Sequence, residues 1–70
     1  MNPNAFVELI NKKKKFYCIN FFDFLDRIEM SESSYKRRKK DPGKFTLAEV
    51  ERIMNVLQFT EEERKEVFCK

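Results

Sequence analysis

Two four-residue patterns, Thr46-Leu47-Ala48-Glu49 and Thr60-Glu61-Glu62-Glu63, constrain this chain more tightly than any other feature, because each is a capping box. In a capping box the threonine hydroxyl and the glutamate three residues later satisfy each other's free backbone N–H groups, and a helix starts at that point. Phe45 and Val50 flank the first box with the spacing of a hydrophobic staple. Ser31 is a third strong cap, with Glu32 suited to the positive end of the helix dipole and Met30 and Tyr35 again at staple spacing. Asn20 is a fourth, and Asn2-Pro3-Asn4 supplies a cap and a proline tolerated in a first turn. Starts this close together leave room only for short helices. The expected fold class is all-α, a single domain of five short helices over about 4–14, 20–28, 32–40 and 47–58, with the last opening at Thr60. Asp41-Pro42-Gly43 turns the chain after the third.

Apolar spacing selects the core. Phe6, Leu9 and Ile10 recur at helical intervals in the first helix, and Phe21, Leu25 and Ile28 follow i, i+4, i+7 in the second, with Phe24 beside them. Tyr35 is the anchor of the third. Leu47, Val50, Met54 and Leu57, with Ile53, make a stripe in the fourth, and Val67 and Phe68 serve the fifth. The aromatic stretch Phe16, Tyr17, Phe21, Phe22 and Phe24 is more than one short helix can point at a small interior. Phe22 lies off the stripe, so it belongs either to a broad aromatic core or to a dimer or partner surface.

Charge is unevenly placed. Residues 1–44 hold 11 Lys/Arg and 6 Asp/Glu, while residues 45–70 hold 4 and 6, so the front is +5 and the back −2. Lys12–Lys15 close the first helix, where lysines suit the partial negative charge of the last carbonyls; a solvated helix end and a phosphate-binding run are compatible readings of it. Cys18 and Cys69 lie far apart in a chain without histidine, which excludes paired zinc-ligand spacing; no metal and no cofactor are expected. Both cysteines read as small, at least half-buried apolar side chains, and a disulfide between them is disfavoured in reducing cytosol. No apolar run approaches a membrane span and no signal-peptide core follows Met1, so the expected location is the cytoplasm.

The stretch Ser31–Lys40 combines these threads. Counting 100° per residue from Tyr35, Ser33, Arg37 and Lys40 fall on the opposite face, with Lys36 beside them and Glu32 at the N-terminal edge. One aromatic holds this helix down and its cations face out, an arrangement suited to a polyanion.

The order of a short helix, a tight turn, a Ser-capped basic helix, a Gly-containing loop and a Phe-Thr-Leu helix start resembles the lambda repressor and Cro-like (xenobiotic response element type) helix-turn-helix family of small phage and prophage regulators. The similarity is carried by Ser31-Glu-Ser-Ser-Tyr-Lys-Arg-Arg38, Lys44-Phe-Thr-Leu-Ala-Glu-Val-Glu-Arg-Ile53, Thr60-Glu-Glu-Glu63 and Glu66-Val-Phe68. The resemblance implies that Phe21–Ile28 and Glu32–Lys40 are the two helices of the motif, the second being the recognition helix. It implies base contacts from Glu32, Ser33, Lys36 and Arg37 and phosphate contacts from Ser31, Lys40 and Lys44. The implied partner is double-stranded DNA, bound by a homodimer in the bacterial cytoplasm and nucleoid. The chain departs from the family pattern at Leu25, where a small residue is usual, at Glu29, where glycine is usual, and at Arg38 and Lys39, where many members carry an apolar residue.

Two function classes follow. One is a sequence-specific DNA-binding regulator, a repressor occupying an operator. The other is a protein-interaction module, an inhibitor or antirepressor that keeps the fold and uses its surplus aromatics on a partner. An enzyme is not expected, since without histidine or any catalytic grouping acid–base and nucleophilic chemistry lack obvious players.

Overall fold

A computed structural model describes residues 1–68, and among them every regular element is helical. The order is α1 (Pro3–Phe16), α2 (Phe21–Ile28), α3 (Glu32–Lys40), a 3₁₀ turn (Pro42–Lys44), α4 (Leu47–Val56) and α5 (Glu61–Phe68). The Asn2 side chain accepts from the Ala5 N–H, Asn20 from Phe22 and Ser31 from Ser34. Both capping boxes close in both directions, at 2.9 and 3.1 Å for Thr46–Glu49 and 2.8 and 3.1 Å for Thr60–Glu63. Helix α1 starts one residue earlier and runs two residues longer than expected, while α4 stops two residues short; helix ends fray by this much.

Three helices end on the same device. The N–H groups of Cys18 and Ile19 donate to the Lys15 and Lys14 carbonyls, those of Glu29 and Met30 to Asp26 and Leu25, and those of Gln58 and Phe59 to Asn55 and Met54. Each is a Schellman closure, with one residue forced into the left-handed region: Cys18 at φ 54°, Glu29 at 56° and Gln58 at 53°. Glycine is the default at such a position, because an L side chain there costs about 1–2 kcal/mol. The chain's single glycine, Gly43, lies instead in the 3₁₀ turn.

Every α-helix contributes to one core, in which Phe6, Ile10, Phe24, Ile28, Tyr35, Ile53, Met54, Leu57 and Val67 are essentially sealed. Phe6 meets Phe45 edge-on at 5.4 Å, and Tyr35 meets Phe24 edge-on at 5.5 Å. Leu25 is buried at the core edge. Three expectations are corrected. Leu47 is 64% exposed, because it is the first residue of α4 and lies at the edge of the stripe through Val50, Ile53, Met54 and Leu57. Phe68 is also exposed, leaving Val67 as the core residue of α5. Cys18 is exposed, not even half-buried, because the left-handed turn swings it outward, and its thiol reaches only the Lys15 carbonyl. Cys69, and with it any Cys18–Cys69 disulfide, lies outside the described residues. Among those residues no helix is long and apolar enough to cross a membrane.

Candidate functional site

Helices α2 and α3 are joined by only three residues, Glu29, Met30 and Ser31. Glu29 bends the chain, Met30 packs against the core and Ser31 opens α3. The strained bend has a brace: Arg52 of α4 donates to the Ile28 carbonyl at 3.3 Å and pairs with the Glu29 carboxylate at 3.4 Å. A second brace holds the other end of α3. Arg38 reaches the Glu49 carboxylate with two nitrogens, at 3.1 and 3.4 Å, and so ties α3 to α4. Burial would raise the Glu49 carboxyl, but the Thr46 N–H and the Arg38 guanidinium outweigh it and hold it below its ordinary value.

Between these braces Tyr35 faces inward, against Phe21, Phe24 and Phe45. Burial pushes its phenol up to about 12. The rest of α3 is turned outward. Glu32, Ser33, Lys36, Arg37 and Lys40 are all exposed, and Lys44 continues the surface from the 3₁₀ turn. Lys36 and Glu32 are partnered to each other across one helical turn at 3.4 Å. Ser31 is also engaged, accepting from the Ser34 N–H at 3.2 Å and donating to the Ser34 hydroxyl at 2.9 Å. Arg37, Lys40 and Lys44 form no ion pair among the described residues. All seven residues singled out from the sequence therefore lie on the outward side of α3 or its flanking turns, and of the cations from Arg37 to Lys44 only Arg38 is in an ion pair among the described residues.

The lysine run of α1 is more committed than a solvated helix end. Lys13 pairs with Glu63 at 2.6 Å, donates to the Gln58 carbonyl at 3.4 Å and lies over the Phe59 ring. Lys14 sits in an aromatic cage, its ammonium 5.0 Å from the centres of Phe21 and Phe24 and 5.9 Å from that of Tyr35. Burial first, and then the charge of Lys39, hold the Lys14 ammonium below its ordinary pKa. Only Lys12 and Lys15 match the solvated reading. The cage was missed because its rings come from two other helices; the one available signal was the excess of aromatics after residue 15.

That excess is divided. Phe24 is core and Phe21 half-buried, while Phe16 (79% exposed), Tyr17 and Phe22 (67%) remain at the surface. An open depression of about 480 Å³ lies between the α1–α2 loop, α2 and the end of α4, lined by Tyr17, Cys18, Asp23, Arg27, Val56 and Gln58 among others and by no residue of α3. Among the described residues no three acidic, cysteine or histidine side chains gather as a metal site. Comparison of the chain with family models, with curated proteins and with solved structures returned no match.

Proposed function

We propose that this protein is a sequence-specific double-stranded DNA-binding regulator of the lambda repressor-like helix-turn-helix type, with α3 as its recognition helix. The observation that carries this reading is the division of α3: Tyr35 is buried, Arg38 is tied to Glu49, and Ser33, Arg37 and Lys40 point away from the core with no acidic partner among the described residues. A helix held from behind and basic in front is suited to the major groove. There arginine can make a paired contact to guanine, serine can donate or accept, and glutamate can accept from cytosine. In this reading Glu32, Ser33, Lys36 and Arg37 meet base edges, the first and third after exchanging their mutual ion pair for DNA. Ser31, Lys40 and Lys44 meet phosphates. Repression follows from occupying an operator, and two copies on half-sites about 34 Å apart supply the affinity that one small domain lacks.

The test is selection of bound sequences from a random duplex pool. A palindromic consensus is expected; recovery of no enriched sequence contradicts sequence-specific reading. Exposed Phe16 and Phe22 favour a second reading, a protein-interaction module. Phe22→Ser distinguishes an interface from ordinary surface, because it lowers self-association in sedimentation while leaving the melting temperature unchanged if Phe22 is the dimer contact.

A further inference from the structure

Two polar contacts from α4 hold α3, one near each of its ends. They leave from Glu49 and Arg52, which are three residues apart and therefore neighbours on the surface of α4, beside its core stripe of Val50, Ile53 and Met54. Glu49 takes two nitrogens of Arg38, in the last turn of α3. Arg52 takes the bend that precedes α3, donating to the Ile28 carbonyl at 3.3 Å and pairing with the Glu29 carboxylate at 3.4 Å. Ile28 is the last residue of α2, and its carbonyl is among those that a helix end leaves without an intrahelical donor. Glu29 lies in the left-handed region at φ 56°, a conformation that a residue with a side chain keeps only where its surroundings fix it. Arg52 fixes both residues at once, from outside the α2–α3 pair. An exposed ion pair such as Arg52–Glu29 adds little to stability, so what distinguishes Arg52 is its place at the bend and not the strength of its contacts.

We infer that Arg52 is a positioning residue for DNA reading: it sets the direction in which α3 leaves α2, and through that the aim of Ser33 and Arg37 at base edges. The inference rests on the DNA-binding reading above and adds to it a residue that touches no DNA. Base and phosphate contacts differ in what they demand. A paired contact from arginine to guanine requires the guanidinium and the base edge in register, and a supporting shell that lets the helix turn by more than about 10–20° loses it. A lysine on a phosphate follows the same turn with its flexible stem. Loss of Arg52 therefore costs specificity before it costs affinity for DNA in general.

The test is the ratio of affinities for the duplex that the wild type selects from a random pool and for a random-sequence duplex. It is measured by fluorescence anisotropy across a salt series for the wild type, Arg52→Met and Glu63→Gln, with a melting curve for each. Arg52→Met keeps the apolar stem and removes both contacts, whereas Glu63→Gln weakens the Lys13 tether between α1 and α5, away from α3. Arg52→Met should lower the ratio on the order of tenfold, the discrimination of one base contact, and should leave the salt slope on random DNA unchanged because no phosphate contact is lost. Glu63→Gln should lower the melting temperature and leave the ratio unchanged. If Arg52→Met does not fold, Arg52→Gln, polar at the same exposed position, is read in its place. An Arg52 variant that keeps the wild-type ratio overturns the inference. So does a slope shallower by about 0.9, which makes Arg52 a phosphate contact itself. A ratio that falls as far in Glu63→Gln reports general loosening and overturns it too. A wild type that selects no sequence overturns the sequence-specific reading, and this inference with it.

Discussion

The basic runs Lys12–Lys15 and Lys36–Lys40 have similar composition, yet they occupy opposite situations. In the first, Lys13 is bound to Glu63 and Lys14 is caged by three rings, so the run fastens α1 to the C-terminal helix and to the α2–α3 pair. In the second, Arg38 alone turns inward, to Glu49, while Arg37, Lys39 and Lys40 face solvent without carboxylate partners among the described residues. Of the glutamates that accept from these runs, Glu49 and Glu63 are the third helical residues of the two capping boxes, each doing double duty as a cap and as a tether, while Glu32 accepts from Lys36 within α3 itself. A basic run thus supports the fold where an acid from a later helix reaches it, and stays available to a partner where none does.

The largest effect expected within this contrast comes from removing the anchor of the exposed run. Tyr35→Ala should lower stability by about 3–5 kcal/mol, because it leaves a cavity walled by Phe21, Phe24 and Phe45 and removes one wall of the Lys14 cage. Chemical denaturation of the purified variant measures it. Next comes a comparison of neighbours. Arg38→Ala should cost roughly 1–3 kcal/mol by stranding half-buried Glu49, whereas Arg37→Ala should change stability by less than about 0.5 kcal/mol. Equal losses would erase the distinction between the tethered and the free cations.

Acid should weaken the tethers. Glu49 and Glu63 are held below the ordinary value of 4.5 despite the opposing effect of burial, in Glu63 chiefly by Lys13 and the Thr60 N–H. Their folded forms bind protons less readily than their unfolded forms, so the stability they contribute is complete above about pH 4.5 and is lost as pH falls through their folded values. A melting series should show that loss, and Glu63→Gln should flatten part of it. The smallest change should be a gain. Gln58→Gly removes left-handed strain at the end of α4 and should stabilise the protein by about 1 kcal/mol. Glu29→Gly should gain less, since it also gives up the exposed contact with Arg52.

Much of this architecture is legible in local sequence, because helix starts are chemical statements made within four residues. Asn20, Ser31, Thr46 and Thr60 all cap as their side chains imply, and Tyr35 is the inward residue of α3. What is not legible depends on residues distant in the chain. Lys13 finds Glu63, Arg38 finds Glu49, and Lys14 finds rings on α2 and α3; no local pattern marks any of the three. Helix ends are harder as well, since Cys18, Glu29 and Gln58 take a conformation that ordinarily advertises itself as glycine. Leu47 misleads because periodicity counts it into a stripe, whereas its place in the first turn leaves it beyond the core. For the site, the outward face of α3 follows from counting around Tyr35, but which of its cations are already paired does not.

The central claim is that the free cations of α3 and the turn after it serve a polyanion, while Lys13 and Lys14 of α1 serve the fold. Its most direct test is the binding of the wild-type protein to duplex DNA across a salt series. With 3–5 phosphate-facing cations per copy and two copies bound, the log–log slope should lie at roughly −5 to −9. A slope near zero, or no binding near physiological salt, would contradict the account and leave α3 as ordinary solvated surface.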